Sequence, residues 1–147
     1  MFRTKSKKGI ACLLAVVITA LMLPISVFAA EYDQGIDVTA DDYTDREGYT
    51  WDSATNTLTL TNVTLTGEGT GKGILLPQGE VTIVLEGENI IQGFAEGLAQ
   101  KSSSSTKGNS LEIKGSGSLT VSQCNYMSSG SFEDVTVDGA KLVGDNT

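Results

Sequence analysis

The 147-residue chain has no histidine. That absence removes the commonest general base, the Ser-His and Cys-His catalytic pairs and most zinc sites. Cysteine is nearly absent too, with only Cys12 and Cys124. Cys12 lies in an N-terminal segment read below as cleaved, so no disulfide framework can form within one mature chain, and Cys124 reads as a small buried hydrophobe. Helical periodicity is missing as well. The nearest approach to apolar spacing of three and four, Ile90–Gln100, is interrupted by Gly93 and Gly97. Arginine occurs only at positions 3 and 46.

What is present first is a three-part N-terminus. Met1–Lys8 carries Arg3, Lys5, Lys7 and Lys8 without an acid, Ile10–Leu23 is an uncharged apolar run, and Pro24–Ala30 ends in small residues. This is the plan of a secretory signal peptide, with cleavage expected after Ala29. The run is shorter than the roughly 20 residues a membrane-spanning helix needs, so no permanent membrane anchor is expected. Cys12 stands at the start of the run, whereas a lipidated cysteine would follow it. All 18 acidic residues but only six of the ten basic ones lie beyond Ala30, which leaves the mature chain at a net charge of −12. That balance argues against a nucleic acid partner, because phosphate neutralisation needs clustered Lys and Arg.

Glycine, serine and threonine dominate the remainder, yet apolar residues recur at period two in Leu58-Thr-Leu60, Val81-Thr-Ile-Val-Leu85, Leu111-Glu-Ile113 and Val135-Thr-Val137. Two positions after each last apolar residue stands Asn62, Gly87, Gly115 or Gly139. These residue types accept a left-handed backbone at little steric cost. A second apolar group follows each: Val63 and Leu65, Ile90 and Ile91, Leu119 and Val121, Leu142 and Val143. The anchors Leu60, Leu85, Ile113 and Val137 are 25, 28 and 24 residues apart. A period of that length with several short strands predicts a solenoid. Gly73–Pro77, Gly97-Leu98 and Cys124–Met127 supply a third strand per unit. The expectation is all-β: a right-handed parallel β-helix of about four turns, with an antiparallel sandwich as the alternative. The serine-rich stretch from Gln100 to Gly108 accounts for the longer middle interval as a loop.

Tyr49-Thr-Trp51 and Thr57–Leu60, joined by the five residues Asp52–Asn56, read as a β-hairpin capping the first turn. The expected organisation is therefore a signal peptide over 1–29, an acidic linker over 30–48 and the β-helix over 49–147, incomplete at its C-terminal end and open to self-association through that edge.

Tyr49-Thr-Trp-Asp52 with Asn56–Leu60, Gly73-Ile-Leu-Leu-Pro77, Val81–Asn89 and Gly115-Ser-Gly-Ser-Leu-Thr-Val121 resemble the β-helical repeat proteins exported by Gram-positive gut and soil bacteria, of the carbohydrate-binding domain-containing type. The resemblance spans Gly48 to about Gly144 and implies a secreted, cell-surface-associated protein whose partner is polysaccharide or cell-wall glycan. Members of that type usually run on for more turns and into further domains.

Sugar rings stack on aromatic side chains while carboxylates and amides take their hydroxyls. The only dense aromatic region, Tyr43, Tyr49 and Trp51 with Asp52 beside it, is the candidate carbohydrate site. Capping of the first turn by the same rings is the competing role. Calcium is the candidate cofactor, since Asp41, Asp42, Asp45 and Glu47 follow Asp37 closely. Their spacing departs from the twelve-residue calcium loop, and a solvated acidic linker explains them equally. Tyr126 and Phe132 read as core or loop-anchoring residues. A lyase would need a base such as Arg or Lys beside its metal, and a hydrolase two converging acids. Glu86, Glu88 and Glu112 and the scattered lysines do not form such a set, so the catalytic part of the site is expected to be empty. Three functions stay open: a noncatalytic polysaccharide-binding module, a structural or adhesive stalk, and a polysaccharide-cleaving enzyme.

Overall fold

The computed structural model describes residues 29–101, 109–129 and 132–145. The expected signal peptide and most of the serine-rich loop lie outside the described residues. No helix occurs among those described, and fourteen strands stack into a parallel β-solenoid of about three turns.

The chain enters through β1 (Ala30–Tyr32), β2 (Ile36–Asp37) and β3 (Tyr49–Asp52). Three coils of three strands follow: β4 (Thr57–Thr61), β5 (Val63–Thr66) and β6 (Lys72–Leu76); β7 (Glu80–Glu86), β8 (Glu88–Gln92) and β9 (Glu96–Gln100); β10 (Ser110–Gly115), β11 (Ser118–Ser122) and β12 (Tyr126–Ser129). β13 (Asp134–Asp138) and β14 (Lys141–Asp145) begin another. Each strand pairs with its counterpart one coil later, which builds three walls ordered β1-β5-β8-β11-β14, β13-β10-β7-β4-β3 and β12-β9-β6-β2. Every pairing between these named strands is parallel except β3 with β4.

Register explains the core. Leu58, Ile83 and Ile113 stack in one column, Leu60 and Leu85 in a second, and Leu65, Ile91 and Val121 in a third. All eight are buried, because side chains at period two all point to one face of each wall. The opposite face carries Thr59, Thr82, Glu112 and Thr120, partly open to water. The expected corner residues hold their places: φ is 53° at Asn62, 65° at Gly87, 114° at Gly115 and 70° at Gly139. Asn62 and Gly87 cooperate across coils. The Oδ1 of Asn62 accepts the N–H of Glu88 at 3.1 Å, and a Cβ on Gly87 would collide with that amide.

The entrance departs from expectation in two ways. Residues 30–48 are not a free linker, since β1 pairs with β5, β2 pairs with β6, and Ile36 and Val38 are buried. Strands of two or three residues show too little alternation to be read locally, and only the wall one coil away gives them partners. The hairpin loop is also shorter than expected, because Asp52 pairs with Thr57 within the ladder. Its carboxylate then accepts the N–H of Ala54 at 2.9 Å and the hydroxyl of Thr55 at 3.0 Å, which tightens the turn over Ser53–Asn56.

Cys124 is buried, and its thiol donates to the carbonyl of Ser122 at 3.3 Å, the place expected for a small hydrophobe. Of the core and loop-anchoring roles expected for Tyr126, the core one does not hold, since it is 63% exposed. In the outward row of its wall it aligns with Glu96, which aligns with Lys72, and that pair forms a salt bridge at 3.6 Å. Phe132 packs half-buried against the core.

Candidate functional site

The candidate site residues separate along the pleat of β3. Tyr49 lies opposite Leu60 and Trp51 opposite Leu58, so both rings turn to the core face, whereas Thr50 and Asp52 turn to water. Tyr49 is 6% exposed and Trp51 is half-buried against the core. Asp52 therefore stands on the other side of the hairpin from the rings it was expected to accompany. Burial makes Tyr49 part of the hydrophobic core and packs Trp51 against it.

Tyr43 arrives by a different route. Its ring lies 6.4 Å from that of Tyr49, and Tyr32 completes the group edge-on to Tyr49 at 5.3 Å. The guanidinium of Arg46 sits 5.9 Å over the Tyr32 ring, close enough for a cation–π contact. Asp45 holds the loop: its Oδ1 accepts the Tyr43 hydroxyl at 3.0 Å and the N–H of Trp51 at 2.8 Å. The backbone carbonyl of Glu47 takes the Tyr32 hydroxyl at 2.8 Å.

Beside this cluster opens a cleft of about 150 Å3, with Tyr43 and Tyr49 as its aromatic lining and Gln34, Asp37, Asp42 and Arg46 among its polar lining. Tyr43 and Asp42 were legible as candidates. Gln34 and Arg46 were not, because only the pairing of β2 and the Arg46–Tyr49 bridge brings them to the same place. A second, larger groove of about 460 Å3 runs where the hairpin loop meets the starts of β7 and β10, lined by Thr55, Asn56, Glu80, Thr82, Ser110 and Glu112. It holds hydroxyls, an amide and carboxylates but no ring.

The expected calcium ligands do not converge. No group of three or more acidic, histidine or cysteine residues suited to a metal ion occurs among the described residues. Asp37 instead accepts the N–H of Thr39 at 2.8 Å and its hydroxyl at 2.7 Å, and Asp45 is engaged as above. Asp41, Asp42 and Glu47 are exposed.

Burial, followed by the hydrogen bond to Asp45, pushes the Tyr43 hydroxyl well above its ordinary value. Burial raises Tyr49 as well, against the lowering effect of Arg46. Backbone donation from Ala54 and the Thr55 hydroxyl hold Asp52 below the usual carboxylate range. The tyrosine shift sets a pH dependence. Above pH 10.0 an unfolded Tyr43 loses its proton while the folded one keeps it, so the folded state binds more protons and stability falls as pH rises. Its contribution is whole below that value. Urea midpoints measured from about pH 8 to about pH 11 are expected to decline, with a shallower decline in Tyr43→Phe. Equal slopes in the two proteins would remove Tyr43 as the cause.

Comparison with protein-family models, curated proteins and solved structures finds no match to this chain.

Proposed function

We propose that this chain is a secreted, noncatalytic β-solenoid module that binds polysaccharide at the cell surface, and that the cleft at the solenoid entrance is its sugar site. The observation that carries this reading is the cleft itself, which Tyr43 lines together with Asp42, Gln34 and Arg46. An aromatic residue beside a carboxylate, an amide and a guanidinium is the set of residue types that recognises a pyranose. The volume is below the roughly 300–1,000 Å3 of drug-sized pockets, which suits one sugar unit with the rest of the glycan running over the surface. The charged, apolar and small-residue order of the first 29 residues supports export, and the strand and corner motifs support the resemblance to exported bacterial β-helical repeat proteins. In this reading the solenoid winds right-handed, as parallel crossover connections do in about 98% of cases. The hairpin of β3 and β4 is its entrance cap.

A spacer role is the second reading, favoured by the outer walls. Rows such as Thr57, Thr82, Glu112 and Thr136 are hydroxyls and charges, with no ring among them.

Retention on insoluble polysaccharides and binding to a glycan array separate the two. Tyr43→Ala and Asp42→Ala are each expected to weaken retention about tenfold, with the circular dichroism of a β protein kept. Asp42 is exposed, so its variant tests the contact without disturbing the core. Wild-type protein that binds no glycan, or variants that bind as well as it does, would favour the spacer.

A further inference from the structure

The larger groove, beside the hairpin loop, shares no lining residue with the entrance cleft. Ala54, Thr55 and Asn56 form one side of it, and the carbonyl of Asn56 accepts the N–H of Thr82 at 3.0 Å, which ties the loop to the wall. The other side is the outer face of that wall. Glu80 and Thr82 alternate with the buried Val81, and Ser110 and Glu112 with the buried Leu111. Glu80 is in register with Ser110, and Thr82 with Glu112. The two glutamates are therefore diagonal neighbours on one face, a relation that sets residues roughly 7–8 Å apart.

Hydrogen bonds fix what these side chains can still offer. A carboxylate only accepts, so the Thr82 hydroxyl gives its proton to Oε2 of Glu112 at 3.3 Å, and the Thr55 hydroxyl gives its proton to Asp52 at 3.0 Å. Both threonines are left with lone pairs alone for a ligand. Lys114 donates to the same Oε2 of Glu112 at 3.1 Å, and Oε1 lies outside both bonds. Glu80 belongs to no ion pair among the described residues. Only the side chains of Asn56 and Ser110 add donors, so acceptors outnumber them in a groove of negative charge.

We propose that this groove is a second glycan site, selective for an amino-sugar residue whose protonated amine lies between Glu80 and Glu112. The proposal takes from the reading above only that the chain binds glycan, and does not depend on the entrance cleft. An ammonium group brings three donors and no acceptor, the complement of this lining, and its bonds to carboxylates are charge-assisted. The Asn56 amide and the Ser110 hydroxyl both donate and accept, which suits the ring hydroxyls around the amine. The volume of about 460 Å3 falls within the roughly 300–1,000 Å3 of small-molecule sites. A peptide fits less well, because β7 is already paired with β4 and β10, and no strand edge is open in the groove for main-chain pairing. A calcium ion takes about six or more oxygens, and no group of three acids converges among the described residues.

Titration calorimetry of the full chain with a chitosan oligosaccharide, its N-acetylated counterpart and tetralysine tests the proposal. At about pH 6 the glutamates are ionised, and about 0.15 M salt screens the general negative charge of the chain. The amine sugar is expected to bind about tenfold or more tightly than the acetylated one, which lacks the charge. Glu80→Gln should weaken that binding about fivefold or more. Glu68→Gln removes the same charge from an exposed residue outside the groove and should leave it unchanged. Circular dichroism on both variants confirms that the solenoid persists. Binding of the amine sugar that depends on Glu80 supports the groove even where neutral polysaccharides are not retained, so the two sites fail separately. No binding, equal affinity for the acetylated sugar, a Glu80→Gln protein no weaker than Glu68→Gln, or tetralysine bound as tightly as the amine sugar would each overturn the proposal.

Discussion

Gly115→Val is expected to destabilise the solenoid by about 3 kcal/mol or more, the sum of a left-handed backbone strain of about 1–3 kcal/mol and a collision with main chain. Gly115 turns the corner from β10 to β11 at a φ of 114°. A Cβ there would strike the carbonyl oxygen of Leu85, its partner one coil earlier, and stand 3.0 Å from the Leu85 nitrogen. Backbone held on both sides by ladder hydrogen bonds cannot rotate aside. Gly87→Ala makes a useful contrast. Its φ of 65° is also strained for an L residue, but its Cβ would meet the side-chain amide of Asn62, which can swing out at the cost of its bond to Glu88. The ordering expected is therefore Gly115→Val well below Gly87→Ala, and Gly87→Ala below wild type. In thermal melts, about 3 kcal/mol corresponds to a midpoint lowered by roughly 12 °C or more for a domain near 100 residues. A Gly115→Val protein that melts with the wild type would show that the coils do not touch at this corner.

Asn89→Leu is expected to cost about 2–4 kcal/mol, even though leucine is more apolar and the site is only 1% exposed. Asn89 sits in the core column beneath Leu119, where an aliphatic residue would be ordinary. Its amide instead ties three coils together. Oδ1 accepts the N–H of Val63 at 3.0 Å, and Nδ2 donates to the carbonyls of Glu86 and Ser118, each at 3.2 Å. Glu86 keeps a second donor in the N–H of Asn62 at 3.2 Å, so its loss is small. The N–H of Val63 falls at the corner after Asn62, where the ladder is broken, and leucine would leave it buried and unpaired. The cost of that desolvated donor outweighs the added apolar contact. Urea titration is the measurement, with a lower midpoint at an unchanged slope as the expected result. An unshifted midpoint would mean that water or another acceptor reaches Val63.

Much of this architecture was legible in the residues. The inward set Leu58, Leu60, Ile83, Leu85 and Ile113 follows from alternation at period two, and the corners at Asn62, Gly87, Gly115 and Gly139 from the steric cost of a Cβ at positive φ; the anchor alignment of Leu85 with Ile113 does not hold, because the ladder sets Ile113 beside Ile83 and Gly115 beside Leu85. Both are short-range effects, so they survive without knowledge of the neighbouring coil. The solenoid period is their repetition.

Other features depend on partners far along the chain. β1 and β2 are too short to show a pattern and exist because β5 and β6, more than thirty residues later, offer open edges. Tyr49 and Trp51 read either as a sugar platform beside Asp52 or as rings packed over the first turn, and antiparallel pairing with β4 chose which face of the pleat turns inward. Tyr126 read as a core or loop-anchoring residue, yet its register with Glu96 puts it on the outer wall. Asn89 carries no local signal of its role, because only the coils on either side need its amide. Sequence alone determined where the strands of the coils lie and where they bend, because sterics and alternation act within a few residues. Which side chains face water, which meet in the entrance cleft and which coils share a buried amide were decided by the stacking of coils, since hydrogen-bond register between residues some 25 or more apart sets the face each side chain takes.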